Sequence, residues 1–216
     1  MKHLLSTITK RRQFLKRTAL LSTGILGIGL GHATPSAPPV SEGNIYLIGP
    51  QEGYSPRIGT LLSTMTMMRS WVVRQVEDLT VEQLDFQLDD KSNSIGALLL
   101  HLAATERYYQ LNTFEGMSWG SWSDKIKERW DIPMRLGKKA RKKIVGNPIE
   151  YYLEQLAEVR AATKAGFAER DDEWLMESET FFDNKPTNNH CKWFHVCEHE
   201  SNHNGQIKMI KKRFSS

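Results

Sequence analysis

The sequence predicts an all-α fold, a four-helix bundle with one long crossover connection, and three observations carry that expectation. Four stretches, 56–78, 94–113, 148–170 and 188–213, repeat apolar side chains at helical spacing and open on helix-start residues. The link 115–146 between the second and third is too long to be plain loop in a compact domain, so it reads as a crossover with a short helix of its own. The fourth stretch holds four of the seven histidines, and three of them recur every fourth position. That spacing stacks side chains along one helix face, as bundle cores do when they hold metals from facing helices.

The first 33 residues stand apart from the bundle. Lys10-Arg11-Arg12-Gln13-Phe14-Leu15-Lys16 is basic, Ala19 to Gly31 is apolar and small, and Gly31-His32-Ala33 is a small-x-Ala cleavage site. The arginine pair followed by Phe14, Leu15 and Lys16 looks like a twin-arginine export signal, a route that carries proteins already folded. The expected destination is the periplasm, with cleavage after about Ala33. An apolar run of about 13 residues falls short of the roughly 20 that a membrane span needs, so no stable span is expected after cleavage. Removal takes six of the 29 basic residues (Lys2, Lys10, Arg11, Arg12, Lys16, Arg17) and none of the 25 acidic ones, leaving 23 minus 25, or −2. The alkaline whole-chain balance is therefore no argument for nucleic acid. The surviving basic cluster from Lys138 to Lys143 has no interleaved aromatics and reads as a solvated segment.

Residues 34–54, rich in Pro, Ser and Gly, read as a linker or N-terminal arm, and 55–216 as the bundle. Ser55-Pro56 supplies an N-cap with proline in the first helical position, and Ile58, Leu61, Leu62, Met65, Met68, Trp71, Val72 and Val76 keep helical spacing to about Asp78. Thr80 and Gln83 make a capping-box pattern for a short turn. Asn93 or Ser94 caps the second long helix, apolar nearly all round in its first half and hence buried, to about Thr113. Within the crossover, Ser123 to Trp130 is the expected helix, and Trp119 and Trp122 are a hydrophobic plug or a cover over the site. Asn147-Pro148 opens the third long helix, whose stripe is Tyr152, Leu153, Leu156, Val159, Ala162, Thr163 and Phe167, ending near Arg170. The acidic, aromatic link 171–186 has room for two short extended stretches. Thr187 or Asn188 caps the fourth helix, and Lys208 to Arg213 place cations at its negative pole.

His195, His199 and His203 stack on one face of that helix, and two imidazoles one turn apart can share a cation at about 2.0–2.1 Å. His101 lies inside Leu-Leu-Leu-His-Leu-Ala-Ala, where an unsatisfied ring nitrogen costs roughly 1–3 kcal/mol. Ligating a metal through one nitrogen while donating the other is one solution; a hydrogen-bonded core histidine is the alternative. Cys191, one turn before His195, offers a soft fourth ligand or a small hydrophobe. Six positions apart on a helix, Cys191 and Cys197 point about 120° away from each other and cannot form a disulfide while it is intact.

SIGALLLHLAATERYY is similar to the Ser-Ile-x-x-Leu-x-x-His-Leu-x-x-x-Glu segment of the DinB superfamily of metal-binding four-helix bundles, and HVCEHESNHNGQI to its His-x-x-x-His-x-Gly-Gln segment. The chain resembles that superfamily from Ser55 to Phe214. The resemblance implies a divalent metal ion (zinc, nickel, iron or manganese) held by His101, His199 and His203, with at least one position open for water or substrate. Glu106, Glu198 and Gln206 match motif positions, while Asn204 stands where the family often has a basic residue. His195 and Gln206 are the expected outer support of the ligands; Glu106, Glu198 and Glu200 are the candidate catalytic carboxylates. Relatives include thiol transferases that use bacillithiol or mycothiol, so a small-molecule substrate or thiol is the implied partner. They often dimerise, which makes a homodimer an expectation.

Three imidazoles with an open position form the pattern of a catalytic site, where a metal lowers the pKa of bound water or thiol toward about 7. The expected function is an exported metal-dependent enzyme, a transferase or a hydrolase, with export arguing against a cytoplasmic thiol as co-substrate. Two other classes stay open. One is a protein that binds metal or a small ligand without chemistry. The other is a zinc peptidase, because His199-Glu200-Ser201-Asn202-His203 satisfies H-E-x-x-H with Glu200 as general base. Against it, no third histidine follows at the metzincin spacing.

Overall fold

The computed structural model describes residues 44–214; the expected export signal, its cleavage site and the first part of the linker lie outside the described residues. The chain begins with α1 (Pro56–Val76), the short α2 (Val81–Asp85) and α3 (Ile95–Thr113). The crossover carries α4 (Asp124–Arg135) and α5 (Gly137–Lys143), and α6 (Ile149–Ala168) follows. After α7 (Asp172–Met176), an antiparallel ribbon of β1 (Ser178–Thr180) and β2 (Pro186–Asn188) leads directly into α8 (Asn189–Phe214). The long helices α1, α3, α6 and α8 make a four-helix bundle. α3 packs on α6 and α8, and α1 packs on the same two, so α1 and α3 lie across the bundle from each other.

Local sequence accounts for several helix starts. The capping box of α2 forms as expected, with Thr80 Oγ1 accepting from the Gln83 N–H at 3.3 Å and Gln83 Oε1 from the Thr80 N–H at 3.0 Å. Ser94 Oγ accepts from the Ala97 N–H at 3.3 Å to start α3. Asn188 opens α8, its Oδ1 taking the Cys191 N–H at 2.8 Å. Among the long helices two starts are made otherwise. Ser55 does not cap its own helix but donates to Asp172 Oδ1 at 2.6 Å, and that carboxylate oxygen accepts the Arg57 and Ile58 N–H groups at 3.0 and 3.3 Å. An anion from α7 thus satisfies the positive end of α1. α6 starts at Pro148 with no side-chain cap from Asn147.

The crossover is more helical than expected. α4 runs past Trp130 and through Pro133, and the basic cluster read as a solvated segment is the helix α5. The two are separated by Leu136, a left-handed residue at φ 53, and α5 opens on Gly137 at φ 72, whose missing Cβ makes that conformation easy. At the tip of the ribbon Asp183 and Asn184 also take positive φ, 52 and 56, which their short polar side chains tolerate.

The core falls into two apolar clusters. One gathers Leu98, Leu99, Leu102, Tyr152, Leu156 and Ile207, the other Ile58, Met65, Tyr109, Phe167 and Trp193. Each long helix also buries a charged residue that joins one ion-pair cluster: Arg69 on α1, Glu106 on α3, Arg160 on α6 and Glu200 on α8. Arg160 Nε donates to Glu106 Oε1 at 2.8 Å and its Nη2 to Glu200 Oε1 at 2.9 Å, while Arg69 Nη2 reaches Glu106 Oε2 at 2.7 Å and Arg69 Nε reaches Glu200 Oε1 at 2.9 Å. Two guanidiniums facing two carboxylates leave no net charge in this cluster, which is the condition for burying it.

Close helix packing rests on Gly96, where an added Cβ would lie 2.5 Å from the Tyr152 hydroxyl. Tyr152 is wholly buried and cannot retreat. Gly96→Ala is therefore expected to destabilise by about 1–3 kcal/mol through overpacking, offset in part by up to about 1 kcal/mol of helix propensity. A fall in the urea unfolding midpoint at unchanged slope checks it. No helix among the described residues is long and apolar enough to cross a membrane.

Candidate metal centre

α3 presents His101 and α8 presents His199 and His203 to one point. His101 Nε2 stands 2.8 Å from His199 Nε2, His203 Nε2 stands 3.1 Å from the same atom, and one nitrogen of each ring lies within 4.8 Å of the others. Three nitrogens about 2.0–2.1 Å from one ion sit roughly 2.8–3.4 Å apart on an octahedral or tetrahedral face, so the two short edges match a shared cation.

The hydrogen bonds behind the rings sharpen this. His101 Nδ1 is 3.0 Å from the Pro133 carbonyl oxygen, and His203 Nδ1 is 3.0 Å from Gln206 Oε1. Both partners are acceptors, which assigns the protons to Nδ1 and leaves both Nε2 lone pairs pointing at His199 Nε2. His199 can donate one N–H to one of them. The other Nε2 lone pair then faces a nitrogen whose single proton is already given, and a cation at the common point removes that conflict. Gln206 is itself oriented by donating to Asn202 Oδ1 at 3.0 Å.

The Pro133 oxygen is free for this role because α4 ends there. Its intrahelical successor, the Gly137 N–H, donates instead to Asn93 Oδ1 at 3.1 Å, leaving the Pro133 carbonyl open to His101. Burial pushes His101 down to about 4, aided by neighbouring His203 and opposed by the Pro133 carbonyl. Burial, then His203, His101 and His195, push His199 to about 3. His203 is lowered by burial and partly restored by Gln206. All three are neutral near pH 7, the form a metal ligand requires.

The remaining candidates lie elsewhere. The His195 ring is 5.4 Å from that of His199 and 5.9 Å from that of Tyr109, with its Nδ1 3.5 Å from Glu198 Oε2. It flanks the cluster without a hydrogen bond to a ligand ring among the described residues. Glu106 and Glu200 are committed to the guanidiniums of Arg69 and Arg160, because residue 200 points about 100° round the helix from residue 199. That engagement takes Glu200 away from the general-base role the H-E-x-x-H spacing offered. Cys191 is exposed and Cys197 buried, its thiol pushed up to about 11 by burial and then by Glu200; neither belongs to the nitrogen cluster. Arg69 and Arg160 were missed from sequence, although a charge inside an apolar stripe at each position was a signal for them.

A cavity of about 600 Å³ opens against His199 and His195, walled by Tyr109, Trp119, Met134 and Phe181. Trp119, 43% exposed, lies 5.1 Å from the Tyr109 ring and 5.4 Å from Phe181, so it covers the cavity, while Trp122, 3% exposed, is plugged into the core.

Bundle and imidazole cluster together define a DinB-like four-helix bundle with a three-histidine arrangement that could hold a metal ion. More particularly, residues 60–215 match the family model described as Mycothiol-S-transferase, and the chain belongs to that family. The fold is shared with a conserved protein from Enterococcus faecalis (13% identity, TM-score 0.52, covering 70% of this chain and 93% of that one). A protein from Streptococcus pneumoniae aligns at 14% identity and TM-score 0.55, over 72% and 90%. YfiT from Bacillus subtilis, reported as a probable metal-dependent hydrolase with an unusual four-helix bundle topology, aligns at 16% identity and TM-score 0.54, over 77% and 93%. At these identities the likeness concerns the fold. No curated protein matches the chain.

Proposed function

We propose that this protein is an exported metal-dependent enzyme of small-molecule chemistry, with a divalent cation held by His101, His199 and His203. The observation that carries the reading is the convergence of three neutral Nε2 atoms, with His199 among the residues that line a cavity walled by aromatic rings. A cation there supplies Lewis acidity, which favours the ionised form of a thiol or a water at neutral pH. The chain's own part is positional. The Pro133 carbonyl and Gln206 fix two rings in the ligating tautomer, while Tyr109, Trp119 and Phe181 exclude water and hold the apolar part of a substrate. Family membership favours sulfur transfer from a thiol to an electrophile. Hydrolysis is the second reading, favoured by the twin-arginine-like sequence at 10–33, since a periplasmic enzyme meets more water than cytoplasmic thiol.

The test loads purified protein with zinc, nickel, iron or manganese. Consumption of 1-chloro-2,4-dinitrobenzene is then followed with and without mycothiol or cysteine, and of 4-nitrophenyl acetate without thiol. Metal-dependent turnover abolished by His101→Ala is the expected result, and the thiol requirement separates the two readings. A stoichiometric metal with neither activity would leave only a binding protein.

A further inference from the structure

Behind the far wall of the cavity lies a buried charge, Lys192, whose partners line that wall. On α3 positions 101, 105, 109 and 112, and on α8 positions 199, 195 and 192, follow each other at one-turn spacing along facing stripes. The stripes meet three times. His101 Nε2 lies 2.8 Å from His199 Nε2, the Tyr109 ring lies 5.9 Å from His195, and the Lys192 ammonium donates to Asn112 Oδ1 at 2.9 Å. Tyr109, Asn112, His195 and His199 all line the cavity, which therefore runs from the imidazole cluster towards Lys192. Seven residues of helix separate His199 from Lys192, roughly 10 Å.

The Lys192 side chain is only 2% exposed, and an ammonium buried that deeply needs partners. It has three: the Asn112 oxygen, the face of Phe181 at 4.5 Å from its centroid, and the Glu179 carboxylate. Each of the three lines the cavity. Asn112 and Phe181 are neutral, so the countercharge is Glu179, whose side chain is 55% exposed on a strand exposed throughout. The cation cannot leave its place, whereas its carboxylate, already half exposed, can turn out to water once another anion replaces it at the ammonium. Another carboxylate can take over that position.

Deepening the reading of the same pocket, we infer that it takes an elongated monocarboxylate, whose carboxylate displaces Glu179 from Lys192. The apolar body lies along Tyr109, Trp119 and Phe181, and the far end reaches the imidazole cluster. Asp183 on the wall, together with the displaced Glu179, favours one negative charge over two.

The competing account makes Lys192 and Glu179 a strap that ties the ribbon to α8, and calorimetry on the full chain separates the two. 4-Phenylbutyrate is expected to bind about tenfold tighter than 4-phenylbutan-1-ol. Lys192→Met should bring acid and alcohol level. Glu179→Gln, which removes the competitor and keeps its shape, should tighten phenylbutyrate severalfold and leave the alcohol unchanged. Equal binding of acid and alcohol by the unsubstituted protein overturns the inference, as does a Glu179→Gln variant that binds the acid no tighter. Should Lys192→Met fail to fold, the exposed Glu179 position still decides. His101→Ala separates this from the metal reading. A preference kept there stands whatever the imidazoles hold, and one lost in His101→Ala but kept in Lys192→Met assigns the carboxylate to the imidazoles and overturns the proposal.

Discussion

Arg160→Met is expected to lower the melting temperature by roughly 6–20 °C, the consequence of about 3–5 kcal/mol lost when a buried ion pair is broken from one side. Arg160 holds both Glu106 oxygens, at 2.8 and 3.3 Å, and Glu200 Oε1 at 2.9 Å, and it also donates to the Met65 carbonyl at 3.1 Å. Removing it leaves Arg69 alone to neutralise two buried carboxylates. Replacing the pair together, as Arg160→Met with Glu106→Leu, is expected to recover part of the loss, since no isolated charge then remains at the Glu106 position. A double-mutant cycle followed by circular dichroism measures both effects. A single-variant loss below about 1 kcal/mol would show that water already reaches the cluster and that it has no such role.

The same carboxylate gives the pH dependence. Burial alone would raise Glu106, but the Arg160 and Arg69 charges, with hydrogen bonds from Arg160 and Thr163, outweigh it and hold the group at about 2, below its ordinary 4.5. Its contribution is complete above about 4.5. As the pH falls further the unfolded chain takes up a proton that the native state refuses, and the stabilisation is lost progressively towards pH 2. Acid unfolding of the unsubstituted protein should fall in that window.

His199→Ala is expected to reduce bound divalent metal from about one equivalent per chain to near zero after dialysis, with affinity down at least a hundredfold. His199 Nε2 is the atom both other rings approach, at 2.8 and 3.1 Å, so no pair of remaining nitrogens keeps the arrangement. His195→Ala leaves all three nitrogens in place and should change affinity by less than about tenfold. Elemental analysis with a chromophoric chelator in competition reads both. Equal losses from the two substitutions would mean that the cluster is not the binding site.

The sequence alone determined the four long helices and the stacking of imidazoles on the last of them, because both are local. Apolar spacing selects which face of each helix is buried, Thr80 with Gln83 and Ser94 satisfy N–H groups three residues away, and i, i+4 repetition puts His199 and His203 on one face whatever α8 packs against. His101 was legible because a polar ring in an apolar run must find a partner. Which partners the buried groups find was decided only in the tertiary structure. The His101–Pro133 bond depends on where α4 breaks at Leu136, the cap of α1 comes from Asp172, and Lys192 meets Glu179 through the turn of the ribbon. The four central charges come from four different helices, and their pairing depends on the register in which those helices pack. Helical periodicity fixes the face a residue occupies but not the height at which a distant helix passes it, and buried charges and ring nitrogens are satisfied or orphaned by that height.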